Sequence, residues 1–211
     1  LNSEEDVEEA REKTFYSGLG AMGNRWWCDP VFKGEPAAVY GVYRTHKKDM
    51  LKIKCKLDFV GVNVYQPFMD GSWGNKPAEN TPKEKLTSMG WLIDGRVLYY
   101  TIKFFYERYD LPVLVTENGM ADNDIVVNGE VKDDKRIKFI NDYLSSVKRA
   151  VSEGIPVMGY QYWSLMDNFE WAEGYGPRFG LIHIDYKTQK RTLKDSAYFY
   201  KKVIETNAEI I

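Results

Sequence analysis

The sequence predicts an α/β protein with a parallel sheet, in which strands and helices alternate along the chain. Three short apolar runs, at about 57 to 65, 112 to 117 and 156 to 163, are strand-like. Segments with apolar residues at helical spacing separate these runs. Residues Val113 to Val115 alternate only weakly between apolar and polar, which predicts a strand buried on both faces.

Four segments carry the period of about 3.6 residues that is typical of helices. A first helix is predicted over 4 to 17 and a last one over 192 to 206, and two more connect the strands. Gly154 is predicted to end the third helix. The positions that define one face of each helix are Val7, Ala10 and Thr14; Leu98, Ile102, Phe105 and Tyr109; Ile137, Ile140, Leu144, Val147 and Val151; and Leu193, Ala197, Tyr200 and Ile204.

Two segments have the composition of loops. Residues 70 to 85 are rich in Gly, Pro and Asn, and residues 121 to 134 contain Asn128-Gly129. Both are expected on the same rim of the sheet as the strand ends. They either border a site there or form simple surface connections.

The composition is that of an ordinary globular protein. The chain is 44% hydrophobic and 28% charged, with a net charge of -2. Because no apolar run is long enough to cross a bilayer and no basic excess is present, neither a membrane nor a nucleic acid is predicted as a partner. The sequence leaves the localisation open.

The cysteines and histidines do not suggest a metal. Cys28 and Cys55 lie in different segments without metal-ligand spacing, and both are expected to be reduced. His46 and His183 are isolated and are expected to be structural or solvated. We therefore predict no metal and no cofactor.

The segment Thr116-Glu117-Asn118-Gly119 places a carboxylate at the end of an apolar run. In barrels of parallel strands, chemistry occurs at the C-terminal strand ends. Glu117 is therefore a candidate catalytic residue. Alternatively, it caps the following helix or pairs with a neighbouring base.

The segment 159 to 171, Gly-Tyr-Gln-Tyr-Trp-Ser-Leu-Met-Asp-Asn-Phe-Glu-Trp, follows another strand-like run and is rich in aromatic and acidic residues. A sugar has apolar C-H faces and a rim of hydroxyls, so a sugar site needs flat aromatic walls and charged acceptors. Trp163, Trp171 and Glu170 supply that combination. The alternative is a tryptophan-rich core segment.

In order and spacing, these motifs resemble those of glycoside hydrolase family 1, the β-glucosidase family. The segment 116 to 119 resembles the nucleophile motif of the family, and 163 to 171 resembles its signature near the last barrel strand. Residues 58 to 65, Asp-Phe-Val-Gly-Val-Asn-Val-Tyr, resemble the end of strand six. Further matches occur at 174 to 175, 178 to 181, 185 to 186 and 194 to 197, so the resemblance covers nearly the whole chain.

The resemblance implies that residues 1 to 211 are a single incomplete domain, the C-terminal portion of a (β/α)8 TIM barrel with strands six to eight. A whole barrel takes about 250 residues or more, whereas this sequence has 211. Three strands of a barrel leave two open edges. The expected partner that covers them is an N-terminal barrel half or another copy of the chain.

The implied activity is that of a retaining β-glycosidase acting on β-linked glycosides. Glu117 is the implied nucleophile, Tyr65 its hydrogen-bond donor, and Asn63 a residue near the same carboxylates. The resemblance also implies sugar contacts, with Trp163 as the stacking floor, Glu170 as the acceptor for two rim hydroxyls, Trp171 as an indole donor, Trp91 as a wall of the leaving-group subsite and Phe179 as a wall near the exocyclic carbon.

The acid/base glutamate of the family lies in an Asn-Glu-Pro motif, and that motif does not occur in this sequence. General acid catalysis contributes about 10² to 10⁴-fold, so the chain alone is expected to turn over ordinary glycosides poorly. The competing hypothesis is that the chain is a non-catalytic carbohydrate-binding or structural fragment of such an enzyme. Smaller departures from the family pattern occur at 34 to 36, at Val64 and at 94 to 95.

Overall fold

The computed structural model describes residues 3–16, 23–36, 47–67, 77 and 79–211. The chain divides into two compact units. The first comprises Leu1–Val60 and Phe104–Pro112, and the second comprises Gly61–Lys103 and Val113–Ile211. The assignment of the whole chain to one incomplete domain stays a prediction.

The described residues of the first unit are mainly helical. Helix α1 (Glu4–Thr14) begins with a capping box, in which the Ser3 hydroxyl accepts from the Asp6 amide and the Asp6 carboxylate accepts from the Ser3 amide. Helix α2 (Asn24–Cys28) continues into a π-helical turn (Asp29–Lys33), and α3 spans Lys47–Ile53. The helix predicted over 4 to 17 is confirmed as far as Thr14, while residue 17 lies outside the described residues.

A buried carboxylate organises this unit. Asp29 is 1% exposed and pairs with Arg108 at 2.6 Å and with Arg25 at 2.9 Å. Burial alone would raise its pKa, but hydrogen bonds from Arg108, Arg25 and Tyr109 outweigh burial and lower the pKa of Asp29. Phe15 packs beside this group, with its ring centroid 6.1 Å from that of Tyr109.

The sheet contains β1 (Val60–Asn63), β2 (Val113–Asn118) and β3 (Val157–Tyr162) in the order β1-β2-β3. Strands β2 and β3 are parallel, as predicted. Val113 and Val115 are fully buried, but Leu114 between them is only partly buried. The prediction that β2 is buried on both faces is therefore wrong. In this sheet of three strands, the face that carries Leu114 is only partly covered.

Helices α4 (Arg96–Tyr109) and α5 (Asp134–Ser152) connect the strands. The predicted α4 face is confirmed, since its four residues are at most 8% exposed. In α5 the predicted Ile140 and Leu144 are buried but Val151 is 51% exposed. The buried residues of α5 are these two together with Arg136, Phe139, Tyr143 and Ala150. As predicted, α5 ends before Gly154, which has φ of +84°.

The C-terminal segment differs from the predicted helix over 192 to 206. Residues Arg191–Leu193 form β5, antiparallel to β4 (Ile182–Ile184), and α6 spans Asp195–Glu205. Leu193 and Ile204, predicted on one helical face, are 48% and 64% exposed. Thr192 and Leu193, the first residues of the predicted helix, pair with β4 and are therefore in a strand. The Asp133 carboxylate then accepts from the Ser196 amide at 2.8 Å and its hydroxyl at 2.5 Å, which holds the first turn of α6.

The predicted loop at 121 to 134 is confirmed, and its tip turns at Asn128 and Gly129, both with positive φ. Half of the predicted loop at 70 to 85 lies outside the described residues, as does His46. The described end of that loop contains a 3-10 turn at Lys83–Lys85. Among the residues described, no helix has the length and apolar character needed to cross a bilayer.

Candidate active site

The structure brings Glu117 and Tyr65 together. Glu117 is near the end of β2, and Tyr65 follows β1 by two residues. The Tyr65 hydroxyl donates to Glu117 Oε2 at 2.7 Å. Burial raises the pKa of Tyr65, and the hydrogen bond and charge of Glu117 raise it further, followed by the charge of Glu170. Tyr65 therefore stays protonated and donates to the carboxylate.

Asn118 fixes the backbone beside this pair. It is fully buried, its amide nitrogen donates to the Val64 carbonyl at 2.6 Å, and its amide oxygen accepts from the Tyr160 hydroxyl at 2.6 Å. The Val64 amide in turn donates to the Glu117 carbonyl at 2.9 Å. The Asn118 side chain thus links the end of β2 to the end of β1 and to β3, next to Glu117.

Gly119 follows Asn118 with no room for a side chain. A Cβ atom there would lie 1.8 Å from the Trp163 carbonyl oxygen. The Trp163 amide also donates to the Asn118 carbonyl at 2.8 Å, and the Trp163-Ser164 peptide bond is cis. The close approach of these two backbones requires glycine at position 119 and places Trp163 next to the Glu117 strand end.

Two further aromatic rings, those of Trp91 and Phe179, lie beside the Tyr65 and Glu117 pair. The ring centroid of Trp91 lies 5.5 Å from that of Tyr65 and 5.9 Å from that of Phe179. The Tyr65 and Phe179 rings are 6.4 Å apart and nearly perpendicular. Phe179 is only 1% exposed, whereas Trp91 is half-buried. In this structure Phe179 therefore packs against the other two rings, and Trp91 is the more accessible of the two predicted walls.

The other predicted residues differ in how closely they join the site. Asn63 accepts at Oδ1 from the Thr116 hydroxyl at 2.6 Å, which leaves its amide nitrogen to donate elsewhere. Glu170 accepts at Oε2 from the amide of Asn168 at 3.0 Å. Trp171 is 83% exposed and has φ of +42°. A role for Trp171 in binding stays a prediction.

A buried ion cluster lies under the loop that carries Trp163 and Glu170. It consists of three carboxylates and three cations, and its members are Asp124, Asp133, Asp167, Arg136, Arg178 and Lys194. Lys194 is fully buried, and its Nζ donates to Asp124 at 2.5 Å and to Asp167 at 2.9 Å. Burial, and then the charge of Arg136, lower the pKa of Lys194.

Asp167 is the member of the ion cluster that anchors the loop. Its two oxygens accept from Lys194, from Arg178 at 2.9 Å, and from the amides of Gly180 and Ile184 at 3.0 and 3.2 Å. These four donors belong to three separate places in the chain. The loop following β3 is thereby fixed at its base.

Sequence reasoning missed the ion cluster and Asn168. Asn168 lies within the segment 163 to 171, and an amide side chain two residues before Glu170 was the available signal. The ion cluster joins residues up to 70 positions apart, and no local pattern marks them. Within the described part of the chain, no group of three or more His, Cys, Asp or Glu could hold a metal ion.

The solved structures that match this fold include β-glucosidases. A family 1 β-glucosidase from Thermotoga maritima superposes with a TM-score of 0.79 and 34% identity, covering 98% of this chain and 48% of that one. The same organism's β-glucosidase in complex with cyclophellitol gives a TM-score of 0.74 and 36% identity, covering 86% and 44%. These neighbours are TIM barrels, and the α/β fold described here corresponds to about half of one.

The relatives found by sequence are glycoside hydrolases as well. The 1,4-beta-D-glucan glucohydrolase of Thermotoga neapolitana is 40% identical over 97% of this chain and 47% of its own length. The bifunctional beta-D-glucosidase/beta-D-fucosidase of Bifidobacterium breve is 48% identical over 87% and 46%. The profile of Glycosyl hydrolase family 1 matches residues 2–209. The chain belongs to that family, as its motifs predicted, and spans about half the length of the curated relatives it matches.

Proposed function

We propose that this chain is the nucleophile-bearing part of a retaining β-glycosidase, contributing strands six to eight of a (β/α)8 barrel. The observation that carries the proposal is the hydrogen bond from Tyr65 to Glu117 Oε2 at 2.7 Å, at the end of a parallel strand. A tyrosine donor stabilises the charged form of a carboxylate. A charged carboxylate at a strand end, beside aromatic rings, is suited to attack a sugar.

In the proposed mechanism Glu117 attacks the anomeric carbon of a β-linked glycoside and forms a covalent glycosyl ester, while the bond to the leaving oxygen breaks. Tyr65 holds the attacking carboxylate, and Asn63 lies on the same sheet edge. Trp163 would stack on the sugar, and Trp91 would border the leaving group.

The remaining sugar contacts are proposed for Glu170, Trp171 and Phe179. Glu170 would accept from two hydroxyls at the far rim, Trp171 would donate its indole N-H, and Phe179 would border the exocyclic carbon. A carboxylate at the position of Glu170 would repel a 6-phosphorylated sugar, so unphosphorylated β-glycosides, including glucosides, are the proposed substrates.

A second carboxyl group must protonate the leaving oxygen and then activate water. In retaining enzymes the two carboxyl groups stand about 5 to 5.5 Å apart. The Asn-Glu-Pro motif that holds this group in the family is not among these 211 residues. We propose that an N-terminal barrel half supplies it.

The sheet supports such a partner. Its order leaves the outer sides of β1 and β3 without a neighbouring strand in the described structure. On its strands Gly61 and Asn63 are exposed, and Met158 is 59% exposed. A second copy of the chain is the competing partner, and native mass spectrometry distinguishes the two, since a second copy adds another 24.5 kDa.

The test combines this chain with the part of the Thermotoga maritima β-glucosidase A that it does not match. Native mass spectrometry establishes that the two parts associate, and hydrolysis of p-nitrophenyl β-D-glucoside is then measured. We expect activity in the complex that neither part shows alone. Glu117→Gln should lower it on the order of 10³-fold or more, and Glu209→Gln, at an exposed glutamate, should leave it unchanged.

Cyclophellitol, an epoxide found in complex with the Thermotoga maritima β-glucosidase, provides an independent readout. Attack by Glu117 would open the epoxide C-O bond, form an ester on the carboxylate and leave a hydroxyl after protonation. Peptide mapping should find this adduct on Glu117. An associated complex with neither hydrolysis nor adduct would instead support a non-catalytic carbohydrate-binding or structural fragment.

A further inference from the structure

Asn168 links two of the proposed sugar-binding residues through its side chain. Its Oδ1 accepts from the Ser164 hydroxyl at 3.0 Å, and its Nδ2 donates to Glu170 Oε2 at 3.0 Å. Ser164 directly follows Trp163 in the chain. The Asn168 amide therefore joins the base of the Trp163 segment to the carboxylate of Glu170.

Chemistry fixes the orientation of this amide. A carboxylate only accepts hydrogen bonds, so the NH2 group of Asn168 must face Glu170 and its oxygen must face Ser164. Nδ2 also donates to the Phe169 carbonyl at 3.1 Å, and the Asn168 carbonyl accepts from the Tyr186 hydroxyl at 3.2 Å. The residue is thus held from both its side chain and its backbone.

Glu170 depends on this contact for its side-chain position. Its backbone is held by a hydrogen bond from its amide to the Gly174 carbonyl at 2.7 Å, but its side chain has three rotatable bonds. A carboxylate that accepts from two sugar hydroxyls must present a defined pair of lone pairs. The Asn168 amide occupies one acceptor position of Oε2 and so orients the positions that remain.

We propose that Asn168 is a positioning residue that orients the Glu170 carboxylate relative to Trp163 and thereby sets the selectivity for rim hydroxyls of the sugar. This inference rests on the proposed function. Asn168 acts through Glu170 and needs no contact with the substrate. Its removal should therefore affect substrates that offer Glu170 a hydroxyl and spare those that do not.

The test uses the complemented complex and two substrates, a β-D-glucoside and its 4,6-dideoxy analogue, which lacks both of the rim hydroxyls that Glu170 would accept from. Asn168→Asp keeps the shape of the side chain but turns a carboxylate toward Glu170. Because hydrogen bonds to charged groups are the strong ones, kcat/KM for the glucoside should fall about 10- to 100-fold, mainly through KM. For the 4,6-dideoxy analogue kcat/KM should change less than about threefold. Asn128→Asp, the same exchange at an exposed turn, is the matched control.

A double-variant cycle separates positioning from a general structural role. If Asn168 acts through Glu170, then Asn168→Asp should have almost no further effect in a Glu170→Gln background. Equal losses for both substrates, or additive losses in the cycle, would overturn the proposal. If Asn168→Asp does not fold, Asn168→Ala removes the same donor and is held to the same criteria.

An NMR measurement on the chain itself makes the inference independent of turnover. With ¹³C-labelled glutamate, the side-chain carboxyl resonance of Glu170, assigned through Glu170→Gln, should shift in Asn168→Asp while that of Glu117 stays in place. An unchanged Glu170 resonance overturns the positioning role. Absence of hydrolysis in the wild-type complex overturns the proposed function alone, and this resonance then decides the role of Asn168.

Discussion

Replacing Lys194 by methionine would test how the buried ion cluster stabilises the second unit. Lys194 is fully buried and donates to Asp124 at 2.5 Å and to Asp167 at 2.9 Å. Methionine fills a similar volume, so the change removes the charge and leaves little cavity. The ion cluster would keep its three carboxylates but only two cations, so its net charge would change from zero to one negative charge.

The expected cost follows from the contacts that remain. Without Lys194, Asp124 still accepts a hydrogen bond from Arg136 at 2.7 Å. Asp167 still accepts hydrogen bonds from Arg178 and from the backbone amides of Gly180 and Ile184. Removing one partner of a buried ion pair costs about 3 to 5 kcal/mol. Because burial already lowers the pKa of Lys194, and so opposes its charged form, we expect the lower end, about 3 kcal/mol.

Urea unfolding followed by far-UV circular dichroism measures this loss. For a chain of this size, about 3 kcal/mol corresponds to a fall in Tm of about 6 to 12 °C. Lys201→Met is the matched control, because Lys201 is 70% exposed and its pair with Glu205 should contribute below about 1 kcal/mol. Adding Asp124→Asn to Lys194→Met should recover part of the loss by restoring neutrality. A loss below about 1 kcal/mol for Lys194→Met would refute the reasoning.

Three further changes have defined outcomes. Gly119→Ala should destabilise the chain by more than about 3 kcal/mol in urea unfolding, because its Cβ would lie 1.8 Å from the Trp163 carbonyl oxygen; wild-type stability would contradict that backbone contact. His183 has a buried Nδ1 without a partner in the described structure, and burial, then Arg178, lower its pKa. Protonation therefore favours unfolding, and the free energy of unfolding should fall below about pH 6.5. His183→Leu should flatten that pH dependence, and an unchanged slope would exclude His183 as its source. Tyr65→Phe in the complemented complex should lower kcat about 10- to 100-fold by removing a hydrogen bond to a charged group, and an unchanged kcat would argue against this role.

The sequence by itself determined the elements whose patterns are local. The apolar runs predicted the three strands, the spacing of Leu98, Ile102, Phe105 and Tyr109 predicted the buried face of α4, and Gly154 predicted the end of α5. The position of Glu117 at a strand end and the membership of the family were likewise readable from short motifs. Such features depend on neighbouring residues and backbone preferences, which a linear sequence contains.

Other features were decided only by the tertiary structure. The start of α6 was set by the pairing of β4 with β5, and the exposure of Leu193 followed from that pairing. The Tyr65 to Glu117 hydrogen bond joins residues 52 positions apart, and the link from Lys194 to Asp124 spans 70. These contacts form because the chain must satisfy buried polar groups with whatever partners the fold brings near. That requirement acts through space, so sequence patterns do not record it.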